Sequence, residues 1–211
     1  MQSRFAELDA LLSQDFSLRE ELIERGVLFG GYHPEMETLH IANGKRLEFL
    51  IEQFGWPDAS IDGSEAIKNA WYIVMHAISL PTLQRRVLKI FKSTPNASSP
   101  EQVAMLEDRT LVFSGKKQRF GTQVDWDHNR VLNPFPIENL ERVNILRANA
   151  NMPSLKESLT SLRERALQEV EYPPINIAEY TKRREDWMLR VGWIRDKSEI
   201  DPAYSAFAGL P

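Results

Sequence analysis

Along most of the chain the apolar positions return every three or four residues, the period of an amphipathic helix. A first helical stretch covers about residues 3–25. A break is expected near Asp15, because Ser17-Leu18-Arg19-Glu20 has the form of a capping box, and Gly26 is a natural stop. Pro34 suits a first helical position. Met36, Leu39, Leu47, Leu50, Ile51 and Phe54 carry that helix to Gly55-Trp56-Pro57, where proline cannot continue it. From Ser64 onward Ala66, Ile67, Ala70, Trp71, Ile73, Val74, Ala77 and Ile78 cover nearly the whole circumference, which predicts a central buried helix. Leu80-Pro81 ends it, and Thr82 is expected to cap a helix to about Phe91. STPNASSP at 93–100 is a polar loop, and Pro100 opens a helix that should end near Asp108-Arg109.

Beyond Arg109 the period changes. Thr110 to Phe113 reads as a helix end or a short strand, and Gln118 to Trp126 alternates in part. Asp127-His128-Asn129 is turn chemistry, from which Arg130 to Phe135 can run back. Pro134 and Pro136 confine the second strand to an edge. Helical spacing resumes over about 138–150, 154–171 and 177–191. Leu155, Leu159, Leu162, Ala166 and Val170 form one stripe, and the tail from Asp196 is irregular. The pattern predicts a mainly α protein with one small β-hairpin at about residues 118–135. A helical domain over 1–155 would carry a C-terminal helical extension over 156–211 packed on it.

Composition narrows the function classes. The 211 residues hold 26 Lys+Arg against 30 Asp+Glu, a formal net charge of −4, which is not the basic excess of a phosphate-backbone binder. Nucleic acid is therefore not an expected partner. The absence of cysteine removes disulfides, thiolate nucleophiles and Cys-ligated zinc or iron–sulfur clusters, and fits a reducing compartment. Arg4, Glu7, Asp9 and Asp15 interrupt the N-terminal stretch, which does not read as a signal peptide. No apolar run reaches the roughly 18 residues a membrane span requires. These features predict a cytoplasmic protein without a membrane partner.

Several spaced segments then combine into one pattern: Gly55-Trp56-Pro57, Trp71 to His76-Ala77, Asp108-Arg109, and Gln118-x-Phe-Gly-Thr-Gln123. With His40-x-x-Asn43-x-x-Arg46-Leu47, and with Pro136-Ile137-Glu138 through Arg142 and Arg147, they resemble a mostly bacterial family of unknown function. That family is marked by GWP, W-x-x-x-x-HA, DR and Q-x-[YF]-GTQ boxes. The resemblance covers roughly residues 15–155 and implies a helical domain with a short hairpin. It implies no activity. Met75 departs from the family, in which a glutamine commonly precedes the histidine.

The candidate chemistry lies at breaks in apolar elements. His76, late on the hydrophobic helix, is either a hydrogen-bonded core residue or a poised acid/base. His40, Asn43 and Leu47 share one helix face, so two polar groups stand among apolar ones and need partners or a wet cavity. Gln84 follows the Pro81 break. Asp108 and Arg109 sit at an expected helix end, where an ion pair often simply locks a turn. Gln118 and Gln123 would face opposite sides of a regular strand, and a bulge at Gly121 would bring them together. His40, His76 and Asp108, or His128, have the ligand types for iron or zinc, but no H-x-x-x-H or H-x-D spacing supports a site, so no metal is assigned. There is no P-loop, no G-x-G-x-x-G and no G-x-S-x-G, and no cofactor can be named. Trp56, Trp71, Tyr72 and Trp126 either wall a pocket or fill a core. Trp187 and Trp193, among Lys182, Arg183, Arg184, Arg190 and Arg195, make a basic-aromatic segment suited to docking on the domain, to a homodimer contact or to an acidic partner.

The first reading is an enzyme acting by hydrolysis or group transfer on a small polar or anionic substrate, at a pocket around His76 and Gln123. His76 and Asp108 would be catalytic, and His40, Asn43, Gln84, Arg109, Gln118, Thr122 and Gln123 would bind substrate. The alternatives are a non-catalytic module for a metabolite or peptide, and a scaffold in which the same residues form a structural network.

Overall fold

The computed structural model describes residues 3–29, 31–169 and 171–204. Its helices and two-stranded antiparallel hairpin make a mainly α fold, as the periodicity predicts. The chain divides into two compact units, Met1–Ala97 and Ser98–Pro211. The division falls in the polar STPNASSP loop. Residue 155, where the sequence reading ended the first domain, opens a helix within the second unit. Among the described residues no helix is long and apolar enough to cross a membrane.

The first unit holds α1 (Leu8–Glu24), α2 (Pro34–Phe54), the short α3 (Ala59–Asp62), α4 (Ser64–His76) and α5 (Pro81–Ser93). α4 packs against all four others, so the helix that is apolar nearly all round is indeed the central one. Ala70, Ile73 and Val74 of α4 are buried, as are Leu8, Leu12, Leu47, Leu50, Leu83 and Val87 on the helices it packs against. Each such large aliphatic side chain contributes about 1.5–3 kcal/mol by leaving water. α2 approaches the end of α4 through Gly44. A Cβ there would stand 2.6 Å from Leu80 Cδ1 and 2.8 Å from Ala77 Cβ.

Three local expectations in this unit are corrected, and one element is added. α1 runs unbroken through Asp15 and Ser17, because Leu8, Leu12, Asp15 and Leu22 form one continuous buried face that outweighs the local capping signal. α4 ends at His76, where Ala77 leaves the helical region, although the apolar run continues to Ile78. The N-cap of α5 is Leu80, in place of Thr82, and Pro81 takes the first turn; α4 opens at Ser64 after Gly63. α3, capped by Asp58, is too short to show a period and was not expected.

The second unit begins with α6 (Pro100–Phe113), opened by a reciprocal capping box between Ser99 and Gln102. α6 continues past Asp108-Arg109, since Val112 packs with Phe135 and Tyr204, and Phe113 with Trp187 and Trp193. This packing overrides the strand-like Thr-Leu-Val-Phe run. The hairpin is shorter than the expected span. β1 (Val124–Trp126) pairs with β2 (Leu132–Pro134), Asp125 opposite Asn133. Its turn is built by Asp127, whose Oδ1 accepts from the N–H groups of Asn129 and Val131. α7 (Val143–Asn149) and α8 (Leu155–Gln168) follow, with Val143, Leu155 and Leu159 as their shared core. Val170, the last member of the α8 stripe, lies outside the described residues. α9 (Ile177–Val191) and the segment after it dock by Met188, Trp193 and Ile194. Tyr180 and Arg184 of α9 hold the two oxygens of Asp125 on β1.

Candidate functional site

In the first unit, three helices bring one polar side chain each to a common point. Asp15 comes from the buried face of α1, His40 from the middle of α2, and His76 from the last residue of α4. Asp15 Oδ2 accepts a hydrogen bond from His76 Nδ1 at 2.8 Å. His40 Nε2 stands 3.1 Å from the same oxygen, close enough to pair as an ion but off the direction of a hydrogen bond. The two imidazole centroids are 5.0 Å apart. Asp15 is 1% exposed and His40 7%, whereas the His76 side chain is 31% exposed. Only His76 of the three offers an edge to solvent.

The electrostatics follow from this placement. Burial raises the pKa of Asp15, but the two imidazoles beside it more than offset that, and its carboxyl is held far below the ordinary carboxylate range. Asp15 is therefore an anion wherever the protein is folded at neutral pH. Asp15 Oδ1 and His40 Nε2 are buried and have no hydrogen-bond partner among the described residues. His40 Nδ1 lies 2.7 Å from the hydroxyl of Tyr32, whose ring stacks on the imidazole.

Neighbouring residues fix the three helices at this point. Asn43 donates to Leu11 O, one turn before Asp15 on α1. Gln84 donates to Val74 O at 2.7 Å. Ile78 turns its N–H to His76 O, so the Val74 carbonyl is one of the orphans at the end of α4, and Gln84 satisfies it. Both residues, predicted to bind substrate, are buried and hold the backbone that presents the cluster. At its exposed edge Phe16 and Tyr72 meet edge to face, and Tyr72 lies 6.4 Å from the His76 ring.

The remaining candidates form a second network, within the second unit. Asp108, fully buried on α6, accepts through Oδ1 from the N–H groups of Arg119 and Phe120. Its Oδ2 accepts from Phe120 N–H, Thr122 N–H and Thr122 Oγ1. Burial pushes its carboxyl up, against the pull of these bonds. Gln118 donates to Gln123 O and Phe135 O and accepts from Gln123 N–H, clasping the loop from inside. Arg109 donates to Gln123 Oε1, and Gln123 to Thr122 Oγ1. Gly121 takes φ +69°, and a Cβ there would meet Leu155 Cδ1 at 2.8 Å. Thr122 and Gln123 thus point at α6, through Asp108 and Arg109. The loop is closed by Arg147, 2% exposed, which donates to Phe120 O, Pro153 O and Ser158 Oγ.

The structure brings together His40 and His76 in one unit, and Asp108, Arg109, Gln118, Thr122 and Gln123 in the other. Sequence reasoning missed Asp15, Tyr32 and the full role of Arg147. Asp15 had a readable signal: it falls on the apolar stripe of α1 with Leu8, Leu12 and Leu22, where an unpaired carboxylate is not tolerated. Tyr32 lies in a loop before α2 and carries no such pattern.

A protein family described as a family of unknown function (DUF6624) matches residues 4–170. No curated protein and no solved structure matches the chain.

Proposed function

We propose that this chain, which belongs to the family of unknown function DUF6624, is an enzyme for a small polar or anionic substrate, with Asp15, His40 and His76 as its reactive centre. The observation that carries this reading is a buried carboxylate oxygen shared by two imidazoles, one of which opens to solvent. Each ring nitrogen of a buried histidine needs a partner, and a strongly perturbed carboxylate held between two imidazoles is the pattern that clusters at functional sites. The centre would activate water or a hydroxyl arriving at the His76 edge, for hydrolysis or group transfer. Phe16 and Tyr72 would flank the approach. Asp15 takes the carboxylate role that the sequence reading gave to Asp108, whose two oxygens are occupied by the loop at 119–122. The setting we propose is bacterial and cytoplasmic. The GWP, W-x-x-x-x-HA, DR and Q-x-[YF]-GTQ boxes would mark the family, in keeping with the two networks that the residues of the last three boxes supply.

The test is turnover of p-nitrophenyl phosphate, bis-p-nitrophenyl phosphate and p-nitrophenyl acetate by the purified chain. His76→Ala is expected to lower kcat by about 10²–10⁴ with an unchanged circular-dichroism spectrum. Turnover at the wild-type rate in that variant refutes the assignment. Binding of these compounds with a raised Tm and no turnover supports the non-catalytic ligand-binding module instead.

A further inference from the structure

Resting on that reading, we propose that Asp15, His40 and His76 together bind one divalent transition-metal ion, zinc or iron(II) by their chemistry. The donor atoms already stand at ligand spacing. One from each residue lies within 4.8 Å of the others, and both nitrogens are 2.8–3.1 Å from Asp15 Oδ2. Ligands about 2.0–2.2 Å from an ion, at octahedral or tetrahedral angles, are themselves roughly 3–3.5 Å apart.

The unpartnered atoms argue independently for a cation. Asp15 Oδ1 and His40 Nε2 are both enclosed, and both belong to side chains aimed at this point. A buried polar atom left unpaired costs about 1–3 kcal/mol. His40 Nε2 lies near a carboxylate without the direction of a hydrogen bond, which suits a lone pair directed at an ion beside that carboxylate. Tyr32 supplies the supporting contact: with Nδ1–H donated to its hydroxyl oxygen, His40 is held in the tautomer whose Nε2 is free to ligate. Two imidazoles and one carboxylate favour a first-row transition metal over magnesium or calcium, which prefer oxygen. Three ligands on three packed helices, with the His76 side open, leave positions for water and substrate. An ion there lowers the pKa of its bound water and so gives the reactive centre a nucleophile at neutral pH.

The experiment uses tag-free full-length protein, stripped with a chelator and titrated with Zn2+, and in parallel with Co2+. Expected are one equivalent bound per chain, a Tm raised by several degrees, and visible Co2+ absorption bands of a nitrogen–oxygen site. His76→Gln, at the partly exposed position, should weaken binding at least about 100-fold while the stripped protein keeps its fold, and Tyr32→Phe about 10-fold. Absence of stoichiometric binding, or affinity unchanged by His76→Gln, overturns the proposal. Metal binding without turnover of any substrate upholds the site and refutes the enzyme; turnover indifferent to chelation does the reverse.

Discussion

The hydrogen bonds converging on Asp108 can be cut by a single isosteric change, Asp108→Asn. The side chain keeps its shape, but one oxygen becomes an NH2 group facing donors. If Oδ1 is replaced, Arg119 N–H loses its acceptor; if Oδ2 is replaced, Thr122 N–H and the Thr122 hydroxyl lose theirs. One orphaned buried N–H costs about 1–3 kcal/mol, and the surviving bonds fall from charge-assisted to neutral, at about 1 kcal/mol each. Against this, burial already pushes the Asp108 carboxyl up, so removing the charge returns part of its desolvation penalty. The net loss should be about 2–3 kcal/mol. Urea unfolding followed by far-ultraviolet circular dichroism measures it, and hydrogen exchange localises it. The amides of Arg119, Phe120 and Thr122 should be protected in the wild type and exchange much faster in the variant. A loss below about 0.5 kcal/mol, with those amides still protected, refutes the claim that this carboxylate holds the loop.

Two further outcomes test the first unit. Gly44→Ala should cost about 2–3 kcal/mol in urea unfolding, because the new methyl meets the immovable Ala77 Cβ, while Gly26→Ala, with open space but φ +68°, should lose only about 1 kcal/mol. Arg4 grips Asp62 with two bonds, at 2.8 and 2.6 Å, and this hold is what chiefly lowers the Asp62 pKa. The pair stabilises fully above the unfolded carboxyl value of about 3.9 and is lost as pH falls through the depressed folded one. Arg4→Met should therefore lower the Tm at pH 7, with the gap closing in acid; a gap that persists unchanged at low pH contradicts the linkage.

Periodicity made the helices legible, since each buries one stripe and the stripe is written in the sequence. It made α4 central because a helix apolar all round has no solvent face to offer. The ends were less legible. α6 outruns its expected stop because Val112 and Phe113 find partners at Phe135, Tyr204, Trp187 and Trp193, far along the chain. The site was half legible. His40 and His76 stand out as polar groups on apolar faces, but which carboxylate joins them depends on how α1 lies across α2 and α4, and spacing along one helix does not encode that. Asp108 attracted attention as a charge at an expected helix end, and the structure assigns that charge to the backbone of the loop at 119–122.

The bonds from Asp108 reach main-chain N–H groups at 119 and 120, so they read position and ignore the side chain. Only proline, which has no N–H, is barred from those two places. Position 121 needs a residue at ease with φ +69°, and position 122 adds a hydroxyl. The loop is thus a fixed mount with one interchangeable tool. Arg119, the open position of the Q-x-[YF]-GTQ box, can be exchanged to change what the surface offers, for instance its pairing with Glu107, while the backbone that carries it stays where it is.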